Sequence, residues 1–240
     1  MHGSRRDAAP AAPALPLAIT TATSFGFLLV QLDVSIVNVA LAAMGGGLQA
    51  GVAGLQWIVD AYALTFAAFL LLAGSLGDRI GPKKVFLAGF GFFLAASLGC
   101  GLAPTVGVLV TSRIVQGFGA ALMVPSSLAL LNHACAGDAG LRHRAVGWWT
   151  AAGSVGLALG PVLGGVLAGA LGWRSIFLVN LPVGAIGVTL TLRSVPEAEG
   201  GGGHFDWTGQ ALAIVALFGL VGAAIGEGSQ GWVSPVVLAS

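Results

Sequence analysis

The sequence predicts an all-α fold: a polytopic membrane bundle of six helices followed by a seventh. Three observations carry that prediction. Of 240 residues, 56% are hydrophobic and only 8% are charged, where soluble domains carry roughly 25% charged residues. With a mean hydropathy of +0.93, too little polar surface remains for a water-soluble globule. The apolar residues fall in long continuous stretches, most reaching the roughly 17–25 residues a helix needs to cross a bilayer, without the alternation of a membrane strand. Lysine and arginine, finally, are confined almost entirely to alternate connections. The 39 glycines follow no G-X-Y period, which excludes collagen, and the hydrophobic bulk excludes a disordered chain.

Taken in order, the first span is Pro16–Leu41, behind a tail of residues 1–15 expected to be disordered and to carry Arg5 and Arg6. Its length and the acid within it, Asp33, set it apart from a cleaved signal peptide, whose apolar core is about 7–15 residues. Span two is Leu55–Leu76 and span three Val85–Ala103, joined by the charged loop Gly77–Lys84. Span four, Val106–Leu131, is followed by a connection holding Arg142 and Arg144, then by span five, Ala145–Leu171. Span six is Ile176–Leu192. Residues 16–192 are thus expected to form the bundle and 193–206 a linker. Residues 207–240 hold a seventh helix, Trp207–Ile225, and the start of a truncated eighth at Pro235. Arg5, Arg6, Arg79, Lys83, Lys84, Arg142, Arg144 and Arg193 fall on one side and only Arg174 on the other. The positive-inside rule places the amino terminus in the cytoplasm. All six tryptophans lie near predicted span ends, as an interfacial belt would. Cys100 and Cys135 fall toward opposite faces and cannot pair.

Three charged residues lie inside the spans: Asp33, Asp60 and Arg113. Each costs at least about 2.5–3.5 kcal/mol at the centre of a membrane helix, so each asks for a reason. At about 1.5 Å per residue, Asp33 lies roughly 12 Å, Asp60 ~8 Å and Arg113 ~11 Å inside the outer ends of their spans. Similar depths point to one site. A desolvated carboxyl exchanges a proton near neutral pH, above all where a cation competes for it, so two acids and an arginine read as a proton-coupled or cation-binding pathway. A structural salt bridge between Arg113 and one aspartate, or an Asp60 hydrated at the headgroups, would also account for them. Gln116 and Gly117 share a helix face with Arg113, a face cleared further by Ala120 and Ala121.

Span five places Ala152, Gly156, Gly160, Gly164 and Ala168 at every fourth position, a small-xxx-small seam for close helix approach. Pro161 removes one intrahelical hydrogen bond and is expected to kink the span. In the loop, the lysines and Arg79 serve as positive-inside anchors, while Asp78 either caps the next helix or does something more specific.

These residues resemble the amino-terminal half of a major facilitator superfamily transporter of the fourteen-helix drug:proton antiporter branch. Gly74-x-x-x-Asp78-Arg79-x-Gly81-x-Lys83-Lys84 is similar to the superfamily's signature loop between helices two and three. Leu109-x-x-x-Arg113-x-x-Gln116-Gly117-x-Gly119-Ala120-Ala121 is similar to its fourth-helix motif. Gly156-x-x-x-Gly160-Pro161-x-x-Gly164-Gly165 resembles the fifth-helix antiporter motif, and Leu32 through Leu41 the branch's first-helix motif. Trp57 through Tyr62 and Trp173 through Pro182 also resemble branch signatures. Pro82 stands where an arginine is usual, and Ala42 where a proline often closes the first-helix motif. The short linker before Phe205-Asp206-Trp207-x-Gly209 resembles the branch with an inserted helix pair.

The resemblance implies two inverted three-helix repeats, with a second six-helix bundle expected to complete the substrate cavity. It also implies a proton-coupled exporter of hydrophobic, cationic small molecules in the cell membrane. Asp33, Asp60, Arg113 and Gln116 would couple protons or bind substrate; Gly74, Asp78, Arg79, Gly81, Lys83 and Lys84 would gate the cytoplasmic side. Gly156, Gly160, Pro161, Gly164 and Gly165 would form the antiporter helix. The alternative is a non-transporting fragment or a membrane-embedded partner subunit. No histidine cluster, nucleophile elbow or P-loop is present in the sequence, so neither enzyme activity nor a metal, cofactor or nucleic-acid partner is expected. The proton gradient would supply the energy, and the bilayer and a small molecule are the expected partners.

Overall fold

The computed structural model describes residues 14–197 together with 201, 209, 211, 212, 214–216 and 219. Its helices are α1 (Ala14–Leu48), α2 (Val52–Ile80), α3 (Pro82–Leu102), α4 (Val106–Ala134), α5 (Ala139–Leu171), the single turn α6 (Ser175–Leu178) and α7 (Asn180–Ser194). α6 and α7 together make the sixth span, Ser175–Ser194, and all six spans are long and apolar enough to cross a membrane. No strand occurs among the described residues. The chain is an all-α, multi-pass membrane protein. Within the predicted seventh span, the described residues between 209 and 219 are helical. The tail up to residue 13, most of the linker, the rest of the seventh span and the start of the eighth lie outside the described residues.

The helices overrun the predicted spans. α1 begins at Ala14, inside the predicted tail, and continues through Gly45–Gly47 to Leu48. Near hydrocarbon an open backbone is costly, so continued helix is the cheapest way to pair its N–H and C=O groups. The predicted loop Gly77–Lys84 shrinks the most. α2 carries Asp78, Arg79 and Ile80 in its last turn, and Gly81 alone separates it from α3. Gly81 ends α2 with φ +95° while its N–H donates to the Gly77 carbonyl (3.0 Å), a conformation that glycine adopts without Cβ strain. Pro82 then opens α3, where a missing N–H costs nothing. Asp78 therefore does not cap α3, as it does in one reading of the sequence: it sits one turn too early, exposed at the end of α2. Side chains do cap two other helices. The Thr105 hydroxyl accepts from Val108 N–H (3.3 Å), and the Asp138 carboxylate from Leu141 N–H (2.9 Å).

α1 runs between α5, α7 and α4, while α4 packs on α2 and α3. Two buried apolar clusters result. One gathers Leu29, Val30, Phe86, Phe90, Phe93 and Met123, and the other Ile36, Val37, Ile58, Leu109, Ile176 and Phe177. On α1, Asp33 falls between them; on α3, Ser97 lies between Phe93 and Cys100, and on the sixth span Asn180 follows Phe177. A polar layer thus separates two greasy halves. The tryptophan belt holds only in part. Trp57 and Trp148 are exposed, whereas Trp173 is buried in the second cluster with Phe177 and the Arg174 guanidinium against its ring. Trp149 turns inward to stack on Phe27 (3.8 Å). Both cysteines are free and buried, Cys100 in α3 and Cys135 beyond the end of α4.

Candidate functional site

Asp33 and Arg113 meet in the polar layer. The Asp33 carboxylate is fully buried and Arg113 is 1% exposed. Arg113 Nη1 donates to Asp33 Oδ2 (2.5 Å) and to Gln116 Oε1 (2.8 Å), and its Nε to the Ile58 carbonyl (3.1 Å). The guanidinium also lies over the Tyr62 ring, 4.1 Å from the centroid, where the negative ring face favours a desolvated cation. Two carboxamides reach Asp33 Oδ1: Gln116 Nε2 at 2.8 Å and Asn180 Nδ2 at 2.9 Å. Each also donates to Ser97 Oγ, at 2.9 and 3.3 Å. Cys100 Sγ donates to Gln116 Oε1 (3.6 Å). Every group that touches the carboxylate is a donor: Arg113 Nη1, Gln116 Nε2 and Asn180 Nδ2. Buried charges persist only when paired and hydrogen-bonded, and here both conditions hold. Among the described residues, Asn180 Oδ1 and the Tyr62 hydroxyl of this layer have no hydrogen-bond partner.

Five helices assemble the site. The helical period that puts Arg113 and Gln116 on one face of α4 aims both at α1. Gly117, next in line, lets α2 come close: a Cβ there would sit 2.5 Å from the Tyr62 carbonyl oxygen. The face expected to be cleared by Gly117, Ala120 and Ala121 is therefore filled by helix packing. Asp33 is likewise not unpaired: the Arg113 guanidinium sits against its carboxylate. Asp60 does not join them. Two residues past Ile58, it lies roughly 200° round the helix from the carbonyl that Arg113 grips, and it is only half-buried.

The gating residues occupy one end of the bundle. Asp78, Arg79 and Lys84 are exposed, and nothing lies within 4 Å of a Cβ placed on Gly74. Lys83 differs from Lys84: it is buried and pairs with Glu197 beyond α7 (3.2 Å). The Asp78 carbonyl accepts from Gly201 N–H (2.8 Å). In α5 the motif residues divide into two sets. Gly156, Gly160 and Gly164 are buried against α1, where a Cβ would strike the backbone of Leu28, the side chain of Ser35 and that of Ile36 in turn. Pro161 and Gly165 are exposed on the other side, and a Cβ on Gly165 meets nothing. α5 stays continuous through Pro161. Proline leaves the carbonyl four residues back, Leu157, without its intrahelical donor. Ser35 Oγ of α1 donates to that carbonyl at 2.7 Å. Sequence reasoning named the charges and Gln116 as site residues. It quoted Ser35, Tyr62 and Asn180 within motif stretches without a role at the site, and it did not name Ser97, a neutral residue that stands out little in an apolar span.

Fold and site together define a membrane-spanning helical bundle with an ion pair locked in its middle layer. The sequence model of the Major Facilitator Superfamily matches residues 23–209, and the chain belongs to that superfamily. It is 47% identical over 219 residues to a Methylenomycin A resistance protein of Streptomyces coelicolor, covering 91% of this chain and 46% of the relative. It is 46% identical to the Multidrug resistance protein Stp of Mycobacterium tuberculosis (89% and 40%) and 40% identical to the Drug efflux pump JefA of the same species (91% and 44%). The chain spans about half the length of the curated relatives it matches. Among solved structures, a peptide transporter superposes with a TM-score of 0.70 at 15% identity, over 94% of this chain and 48% of that one. A proton:xylose symporter superposes with a TM-score of 0.67 at 18% identity, over 89% and 52%. Identity that low shows the fold alone.

Proposed function

We propose that this chain is the amino-terminal half of a proton-coupled exporter of hydrophobic, cationic small molecules. In this reading it lies in the plasma membrane with its amino terminus in the cytoplasm and needs no cofactor beyond the proton gradient. The observation that carries the reading is the Asp33–Arg113 pair, held by Gln116, Asn180 and Ser97 between two apolar clusters. A purely structural core gains by replacing such a pair with well-packed apolar residues. The printed names of the relatives, resistance and efflux proteins, support drug export in general.

Asp33 is the proposed coupling acid. A proton on Asp33 needs an acceptor, and Asn180 Oδ1 is buried without a partner. Rotation of the Asn180 carboxamide presents that oxygen in place of the amide nitrogen, so the layer can hold the protonated carboxyl as well as the ionised one. Arg113 then keeps its bonds to Gln116 and to the Ile58 carbonyl. Asp60, half-buried on the opposite side of α2, is proposed as a second acid facing cargo or the missing bundle. Asp78 and its charged neighbours would latch the cytoplasmic side against that bundle.

The test uses the full-length protein, this chain followed by its second bundle, purified in weak buffer. Adding a lipophilic cation should release protons from the wild type. The Asp33→Asn, Arg113→Gln double variant, neutral at both positions, should bind the cation with no proton release. Equal release from both would remove Asp33 as the coupling acid and pass the role to Asp60. This chain alone should transport nothing.

A further inference from the structure

Away from the ion pair, α1 and α5 diverge at the end where both begin. A groove of about 350 Å³ opens there, lined by Thr20, Thr21, Ser24 and Leu28 of α1 and by Trp148 of α5. Its mouth lies between Leu17 and Trp148, 69% and 67% exposed, so it faces the outside of the bundle. Two features set it apart from an ordinary gap between membrane helices. Ser24 is buried and its hydroxyl has no hydrogen-bond partner among the described residues, although a serine in a helix can satisfy itself on the carbonyl four residues back. Arg144 is exposed one turn before Trp148 on the same face of α5, which sets a cation at the rim of an apolar slot.

We propose that this groove seats one anionic glycerophospholipid of the leaflet in which α1 and α5 begin. The arrangement follows the order of the lipid's own parts. Its phosphate meets Arg144 and the Trp148 indole at the rim, where arginine and tryptophan suit the headgroup level. Below it, Trp148 and Ser24 line the same cavity. Rotation about χ1 of Ser24 turns its free O–H to an ester carbonyl, the hydrogen-bond acceptor a lipid carries at the top of its chains. One acyl chain then follows Phe25 and Leu28. A zwitterionic lipid offers the same carbonyls and chains, but its own ammonium competes for the phosphate, so Arg144 sets the preference for negative headgroups.

Native mass spectrometry of the delipidated chain, titrated with phosphatidylglycerol or phosphatidylcholine, tests the assignment without reference to transport. The wild type should retain one phosphatidylglycerol at least tenfold more tightly than phosphatidylcholine. Arg144→Gln should bring the two within about twofold. Ser24→Ala should weaken both by a similar factor of about three to ten. Thr21→Trp, which fills the groove from an exposed position and leaves the core untouched, should abolish the tight site. Circular dichroism should show the same helix content in all four proteins. Retention that is equal in the wild type, Arg144→Gln and Thr21→Trp would overturn the proposal. So would displacement of the retained lipid by ethidium, a lipophilic cation, at the Thr21→Trp-sensitive site, since that would give the groove to cargo.

Discussion

Removing a carboxylate from a buried pair is costlier than removing the pair, because the partner is left charged and desolvated. Asp33→Asn alone should therefore lower stability by about 3–5 kcal/mol. Asp33→Asn with Arg113→Gln should recover most of that loss and none of the proton release. Thermal unfolding of the single and double variants in detergent checks this; a double variant as unstable as the sum of the singles would mean that the pair is not the unit. The charged members of the site were legible because an apolar sequence has to explain them. Depth, however, is only one coordinate on a helix. It put Asp60 level with Asp33 and Arg113 and said nothing of the angle that turns Asp60 away. Ser97 was illegible for the opposite reason: a neutral hydroxyl costs too little in a span to announce itself. Asn180 fell inside the signature stretch Trp173 to Pro182, but nothing in the sequence tied it to the Asp33 carboxylate it binds.

Among the elements, the α1–α5 seam separates packing glycines from idle ones. Gly156→Ala places a methyl on the Leu28 backbone, which cannot swing aside as a side chain can. The expected cost is about 1–3 kcal/mol of overpacking. Gly165→Ala meets open space and should gain up to about 1 kcal/mol from helix propensity. Melting temperatures should move in opposite directions, and a shared direction would show that the seam is not where α5 is held. The every-fourth-residue spacing made the seam visible in the sequence, whereas Gly165, adjacent to it, looked equivalent. Helix ends were read least well. Hydropathy marks where hydrocarbon stops, but the helix stops where something else can satisfy its carbonyls; α2 accordingly runs on through Asp78 to Gly81.

Orientation belongs to the whole molecule. Gln49 is exposed between α1 and α2, and Lys84 and Arg142 are exposed near the opposite ends of the spans. Single cysteines at these positions, in a background without Cys100 and Cys135, should react with an impermeant reagent in intact cells only at Gln49. Reaction at Lys84 from outside would invert the topology argued from the basic residues. Lys83 is unsuited to this test because it is buried against Glu197. That pair also links two parts of the bundle: a residue beyond the sixth span pairs with the cation that opens the third.

The bond from Ser35 to the Leu157 carbonyl gives the history of this fold a direction. If Pro161 is replaced first, the restored N–H takes the carbonyl back, and Ser35 falls back on a carbonyl of its own helix. If Ser35 is lost first, the carbonyl stays bare in hydrocarbon, at a cost of a few kcal/mol. The cheaper way out of this pairing therefore runs through residue 161, and the cheaper way in takes the serine before the proline.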